Sequence, residues 1–363
     1  MFAFEARIGD EVQHDIDASG LAEDSDVISG IIVNEASDSV YVIENSIAIL
    51  LADKDIDPSY LDNKIKSIQA RIPTEFNPIV ERHLNRNLKR NATNVGKWNS
   101  EEMGFYDRAV DDDKKREAML REIREMPIWR NYIPRQKYIV NFIKPYCRKQ
   151  TILEIGSGNS RTIANIFRPK DFGYRYVGSD ISFKRLLVAK QAIPEGDFIQ
   201  ASAMNLPFVD NSFQAIISFG MLHHLPEPMT AISGCVSKIK ENGFLCFHEP
   251  IVKPKILGSR KTTLGRIFTT YEHSEHDRDL DLAGSLTLLK DKDLEIVKRR
   301  NFNSFFKTFA EFFLQKATPK KFHMSKFVVR SLFFIDRFFL NTFCRIWKGF
   351  GPHGVIVVAK KKG

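Results

Sequence analysis

Cysteine is scarce and scattered: Cys147, Cys235, Cys246 and Cys344 are the only four in 363 residues, with no C-x-x-C pair among them. That spacing excludes a zinc ribbon and a disulfide framework, and it suits a reducing compartment. Long apolar runs are missing too. The longest uncharged ones, 331–335 and 338–344, fall far short of the ~20 residues that a membrane-spanning helix needs. No basic-then-apolar leader opens the chain, because residues 1–20 are acidic and mixed. Together these absences lead us to expect a cytoplasmic protein. There is no internal repeat, and no low-complexity tract apart from a phenylalanine bias over 302–350. Apolar residues make up 43% and charged residues 27%, which excludes a largely disordered chain.

Charge is unevenly spread. Residues 1–57 carry fourteen acidic and two basic side chains, whereas 303–350 carry nine basic and two acidic, so the net +9 conceals opposite ends. Such asymmetry bears on partners more than on fold. Five zones follow. Residues 1–57 read as a small acidic α+β appendage, with strand-like stretches at 27–33 and 40–43 around a turn, then an apolar run at 47–51. Residues 58–149 read as a helical linker or cap that Pro58 opens. There Tyr106, Trp129, Tyr132 and Tyr138 are suited to a cleft or, more commonly at helical spacing, to a core. Residues 150–302 are the core, 303–350 a phenylalanine-rich basic helical insertion, and 351–363 a final core strand with a basic tail.

Within the core, strand-like runs at 151–155, 174–179, 197–200, 215–219 and 243–248 alternate with helical stretches such as 183–191 and 229–239. That alternation specifies a parallel α/β sheet. Its first strand leads through Glu154-Ile155-Gly156-Ser157-Gly158 into a helix, a turn in which glycine lets the backbone bend and a ligand approach. A dinucleotide site usually has a third glycine where Ser160 and Arg161 stand, and Glu154 would repel a pyrophosphate while attracting a cation. Asp180 ends the second strand 22 residues after Gly158, a position suited to the two hydroxyls of a ribose. The third strand leads to Ser202-Ala203-Met204-Asn205-Leu206-Pro207-Phe208, able to offer backbone N–H groups to a purine edge. The fourth ends at Phe219 before Leu222-His223-His224-Leu225.

This succession resembles the class I S-adenosylmethionine-dependent methyltransferases of the type 11 small-molecule group. Their pattern runs E-x-G-x-G, a ribose aspartate, G-D-A-x-x-L-P-F, D-x-S-F-D and L-H-H-L. The resemblance covers about residues 150–252 and implies a Rossmann-like, doubly wound, mostly parallel sheet, with the amino-terminal appendage and the helical insertion before the last strand added to it. It also implies S-adenosyl-L-methionine as cofactor. Gly156, Ser157 and Gly158 would approach its methionine part, and Glu154 its ammonium group. Asp180 would hold the ribose, Ile181 the adenine face, Ser202 and Ala203 the adenine edge, and Phe219 would lie at the cofactor-facing end of its strand. Two residues depart from the pattern: Ser202 stands where an aspartate usual to the family accepts the adenine amine, and Gln214 replaces an aspartate after Phe213. The strands of the appendage resemble a small domain, often zinc-bearing, that is fused to or partners some methyltransferases, but its cysteines are missing here.

Methyl transfer from an activated sulfonium needs in-line approach of the nucleophile and, for a proton-bearing nucleophile, a base. The candidates are His223, His224, His248 and Glu249. No metal site is expected, since the loop 271–277, rich in His, Asp and Glu, reads as exposed polar chain. Lacking an Asn/Asp-Pro-Pro-aromatic run after Phe219, the chain is not expected to methylate nucleobase amines, and nucleic acid is not the expected partner. The leading expectation is O- or C-methylation of a small-molecule or lipid-linked acceptor. The alternatives are an RNA methyltransferase and a catalytically inactive binding protein with this fold. Phe302, Phe305, Phe306, Phe309, Phe312 and Phe313 recur on one helical face, and basic residues follow from Lys326 to Lys348. This pattern points to an anionic membrane surface on the cytoplasmic side as a further partner.

Overall fold

Alternating β-branched runs and capped helices set the architecture of this computed structural model. It describes residues 2–8, 11–17, 26–34, 39–52, 54–87, 93–124, 133–250, 280–302 and 354–363, together with Ser331, Phe334 and Phe338. The strands are β1 (Phe2–Ile8), β2 (Glu11–Asp17), β3 (Asp26–Asn34), β4 (Ser39–Glu44), β5 (Ile47–Ile49), β6 (Thr151–Ile155), β7 (Arg175–Asp180), β8 (Asp197–Gln200), β9 (Phe213–Phe219), β10 (Ile239–Pro250), β11 (Leu294–Phe302) and β12 (Gly354–Lys361). The helices are α1 (Pro58–Ile68), α2 (Asn77–Asn87), α3 (Asn94–Asp107), α4 (Asp113–Arg124), α5 (Ile133–Cys147), α6 (Arg161–Ile166), α7 (Pro169–Phe172), α8 (Phe183–Ala192), α9 (Pro228–Lys238) and α10 (Leu282–Asp291). They fall into two units. The first is Met1–Leu120 with Gly156–Arg161 and Tyr176–Pro207, and the second is Arg121–Ile155 with Thr162–Arg175 and Phe208–Gly363.

In the first unit the strand order is β7-β8-β5-β4-β3-β1-β2. β7 and β8 run parallel with Gly178 opposite Phe198. β5 adds to β8, also parallel, placing Ile47 opposite Phe198 and Ile49 opposite Gln200. From β5 outward the pairing is antiparallel, and β3 with β4 forms the hairpin expected from their alternation, Ile31 facing Val42. β1 and β2 go beyond the sequence reading. β2 is interrupted by Glu11, Asp15 and Asp17, and charge is ordinary on a strand at the edge of a sheet. The core gathers Ile31, Ile47, Ile49, Leu51, Ile56, Tyr176 and Phe198, all essentially without exposed surface. Two caps fix the helices that matter for the site. Asp57 accepts from Ser59 N at 2.9 Å with Pro58 opening α1, and Thr93 accepts from Gly96 N at 2.9 Å at the start of α3. Gly96 lets α3 press onto the preceding turn, because a Cβ there would lie 3.1 Å from the Ile56 carbonyl oxygen.

In the second unit the order is β11-β12-β10-β9-β6. β9 runs parallel to both neighbours, with Ala215 between Ile152 and Phe244. β12 lies antiparallel between β10 and β11. Its residues 355–359 have no exposed surface, which explains an unbroken apolar run in place of alternation. Over 280–302, where the sequence reading named no element, the structure has α10, capped by Asp281, and β11. Lys298, Arg299 and Arg300 mask β11 in the sequence, yet charge is ordinary on an edge strand, and the Arg300 guanidinium stacks over Tyr138 at 5.0 Å. The parallel strands of the 150–250 stretch, flanked by helices, are the α/β, Rossmann-like class anticipated. Among the described residues no helix is long and apolar enough to cross a membrane. Trp129, Tyr132, the loop 271–277 and nearly all of 303–350 lie outside the described residues, as do the expectations placed on them.

Candidate functional site

After β6 the chain turns through Gly156 at φ 62° and Gly158 at φ 52°, left-handed values that glycine adopts without strain. Ser160 shares that region at φ 50°. It is held there by its N–H to Ser157 O at 2.8 Å and by its hydroxyl against that of Tyr176 at 2.8 Å. The loop is wired to the end of β7. Ser157 N donates to Ser179 O at 3.0 Å, and Gly158 N donates to Asp180 Oδ2 at 2.7 Å. The other oxygen of Asp180 accepts from Ser182 N at 2.8 Å. Burial raises the pKa of Asp180, against the pull of Ser182 N, Arg185 and Gly158 N. A carboxylate offers about four acceptor positions, so two remain for a diol. The Ser157 hydroxyl is buried and, among the described residues, has no hydrogen-bond partner.

The residues around this loop come from distant segments. Ser182 caps α8 and donates from Oγ to Asp107 Oδ1 on α3 at 2.5 Å. Arg185 stacks over Tyr106, also on α3, at 4.3 Å. Gln200 donates to Ile181 O at 2.8 Å and accepts from Tyr60 of α1 at 3.0 Å. Ser202 is buried, its Oγ accepting from Met204 N at 3.3 Å and from Asn99 Nδ2 of α3 at 3.4 Å, while Ala203 is half-buried. Tyr60, Asn99, Tyr106 and Asp107 therefore surround positions that the motifs do identify. Sequence reasoning placed all four on helices and singled out only Tyr106, as suited to a cleft or a core; for Tyr60, Asn99 and Asp107 no local signal pointed to the site.

The second unit holds the remaining candidates. Glu154 is buried within β6, and Phe219 is half-buried at the end of β9. Glu249, with no exposed surface, lies near the end of β10 and accepts from the turn that follows β9. Its Oε1 takes Met221 N and Leu222 N, each at 3.1 Å, and its Oε2 meets His223 Nδ1 at 2.8 Å. Against an ionised carboxylate, which can only accept, Nδ1 is the donor, and the lone pair of a neutral imidazole is then on Nε2. The His224 ring lies tilted against that of His223, with centroids 4.0 Å apart. His248 is buried inside β10, where its carbonyl accepts from Gly220 N at 2.8 Å. Thus the structure joins His223 to Glu249. Gln214, the second departure from the motif, donates to Asn242 O at 3.4 Å. Burial pushes the thiols of Cys147 and Cys235 up to about 12 and that of Cys246 well above its ordinary value, so none of the three is a ready nucleophile. Among the described residues no cluster of His, Cys, Asp and Glu is arranged to hold a metal.

Residues 153–247 match a family model described as a methyltransferase domain. A demethylmenaquinone methyltransferase of Paenarthrobacter aurescens is 36% identical over 107 residues, which cover 28% of this chain and 41% of that protein. A ubiquinone/menaquinone biosynthesis C-methyltransferase of Escherichia fergusonii is 31% identical over 117 residues, covering 30% of this chain and 46% of the other. The chain thus spans less than half the length of these curated relatives. Among solved structures, a phosphoethanolamine N-methyltransferase 2 of Haemonchus contortus in complex with S-adenosyl-L-methionine is 17% identical with a TM-score of 0.49, covering 72% of this chain and 60% of that one. With its motifs in order and the family model matched across them, the stretch 153–247 is similar to a methyltransferase domain.

Proposed function

We propose that the chain transfers a methyl group from S-adenosylmethionine to a proton-bearing ring carbon or hydroxyl of a small, lipophilic acceptor, with His223 as the base and Glu249 holding it. The observation that carries this reading is the Glu249–His223 pair. A buried carboxylate anchored on two backbone N–H groups orients the imidazole and fixes its tautomer. Relatives named as quinone-pathway methyltransferases support a ring-carbon acceptor. The residues of the glycine loop and the end of β7 fit the cofactor: Asp180 has acceptor positions left for the ribose hydroxyls, and among the described residues the buried hydroxyl of Ser157 has no hydrogen-bond partner. Gly156, Ser157, Gly158, Glu154, Asp180, Ile181, Ala203 and Phe219 are the residues assigned to hold it.

When bound, the cofactor supplies a methyl group already activated on a sulfonium. His223 Nε2 then takes the proton of the acceptor as its carbon or oxygen gains the methyl, leaving neutral S-adenosylhomocysteine. Base assistance of this kind is worth about 10²–10⁴ in rate. Glu249 stabilises the charge that develops on the imidazole. The test is incubation of the protein with methyl-labelled cofactor and an extract containing lipids, with mass spectrometry of the products. Label found in a lipophilic ring compound supports the reading, and label confined to RNA or absent altogether defeats it.

Association with an anionic membrane surface is also part of the proposal. It is supported by the fourteen phenylalanines and the basic excess of the 302–350 stretch, and by the exposure of Phe334 and Phe338, four residues apart, at 75% and 53%. Co-sedimentation should require anionic lipid and weaken with salt. No sedimentation at low salt removes this part.

A further inference from the structure

A purine held against the turn after β8 meets a shortage of acceptors. Adenine presents its exocyclic amine as a hydrogen-bond donor, and a donor buried without an acceptor is costly. At Ser202 the chain has a hydroxyl, and that hydroxyl is already engaged by Met204 N and Asn99 Nδ2.

Asn99 changes the count. It stands on α3, 103 positions before Ser202 in sequence, and is only 5% exposed. Its Nδ2 donates to the Asp55 carbonyl oxygen at 2.7 Å and to Ser202 Oγ at 3.4 Å. A carbonyl oxygen can only accept, so the amide nitrogen must face Asp55, and the flip of the side chain is determined by the network. Its opposite end, Oδ1, is then an acceptor whose orientation that network sets. The support is itself buried and paired: the Asp55 carboxylate accepts from Asn205 Nδ2 at 2.8 Å, and Asn205 N donates to Ser202 O at 3.1 Å. The turn from 202 to 205 and the turn before α1 are thereby tied together around Asn99.

We infer that Asn99 Oδ1 accepts from the exocyclic amine of the adenine of the cofactor, standing in for a carboxylate that residue 202 does not supply. Asn99 is then a specificity residue for the purine, contributed by a helix outside the matched domain. The inference rests on the proposed cofactor.

Calorimetry on the full chain tests it with two ligands, S-adenosylhomocysteine and S-inosylhomocysteine, in which a carbonyl oxygen replaces the amine. The native chain should prefer the adenine ligand by tenfold or more. Asn99→Ala should weaken adenine binding about tenfold and bring the two affinities close together. Adding Ser202→Asp to Asn99→Ala should restore the preference. Equal losses for both ligands in Asn99→Ala, or unchanged adenine affinity, would overturn the assignment. Should Asn99→Ala not fold, Asn99→Ser, which keeps a small polar side chain but not the amide oxygen, must lose the preference, and its retention overturns the assignment equally. A native chain that binds neither ligand would overturn the methyltransferase reading itself, whereas one that binds both alike would overturn Asn99 alone.

Discussion

Glu249→Gln separates a catalytic carboxylate from a structural one. The replaced side chain has no exposed surface and three close donors: Met221 N, Leu222 N and His223 Nδ1. The glutamine oxygen can still accept from both backbone groups, so the turn after β9 keeps its anchor. Its amide nitrogen, however, now faces Nδ1 at the distance where a carboxylate oxygen stood, 2.8 Å in the parent. Two donors cannot share that contact, so the imidazole must shift its proton to Nε2, and the lone pair that would take the substrate proton is gone. Losing one charge-assisted hydrogen bond costs about 1–3 kcal/mol of stability. Losing the base costs about 10²–10⁴ in kcat. We therefore expect a folded variant, slightly less heat-stable, that binds S-adenosylhomocysteine as the parent does and turns over at least a hundredfold more slowly. Imidazole nitrogen chemical shifts read the tautomer directly and do not depend on which acceptor is used. A variant with parental kcat, or with His223 still protonated on Nδ1, would refute the reasoning.

Asp180→Ala removes an acceptor from Gly158 N, from Ser182 N and from the proposed ribose contact, and should weaken cofactor binding by about 1–3 kcal/mol; equal calorimetric affinities would dismiss the site. At Gly178 a Cβ would come within 2.8 Å of two ring carbons of Phe198 and 3.1 Å of Ser157 Oγ. Gly178→Ala should therefore destabilise the protein by about 1–3 kcal/mol, and an unmoved denaturation midpoint would speak against this packing. Burial raises the pKa of Asp107, against its hydrogen bond from Ser182 and the nearby Lys184. A folded-state pKa above the unfolded value means that the folded protein takes up protons, so the parent gains stability as pH falls through it. Asp107→Asn should melt higher than the parent at pH 7, and the gap should close on acidification; a gap that widens would contradict the burial.

Local pattern alone located much of this protein. The runs at 151–155 and 197–200 coincide with β6 and β8 because a buried parallel strand writes an apolar signature into a few adjacent residues. The glycine loop and Asp180 were legible for a similar reason, since turn geometry and the end of a strand restrict residue type over a short span. Edge strands carry no such signature. Charged β11 and acidic β2 therefore emerged only when partners paired with them. The site followed the same division. Sequence offered four candidate bases on equal terms, and tertiary structure joined His223 to Glu249, 26 residues apart, because two parallel strands bring their carboxyl ends side by side. It also brought Asn99 to Ser202 and Tyr60 to Gln200, contacts that span 103 and 140 positions. Residue type and spacing record what the backbone needs nearby. Which distant side chain supplies the missing hydrogen bond is decided only when the chain has closed on itself.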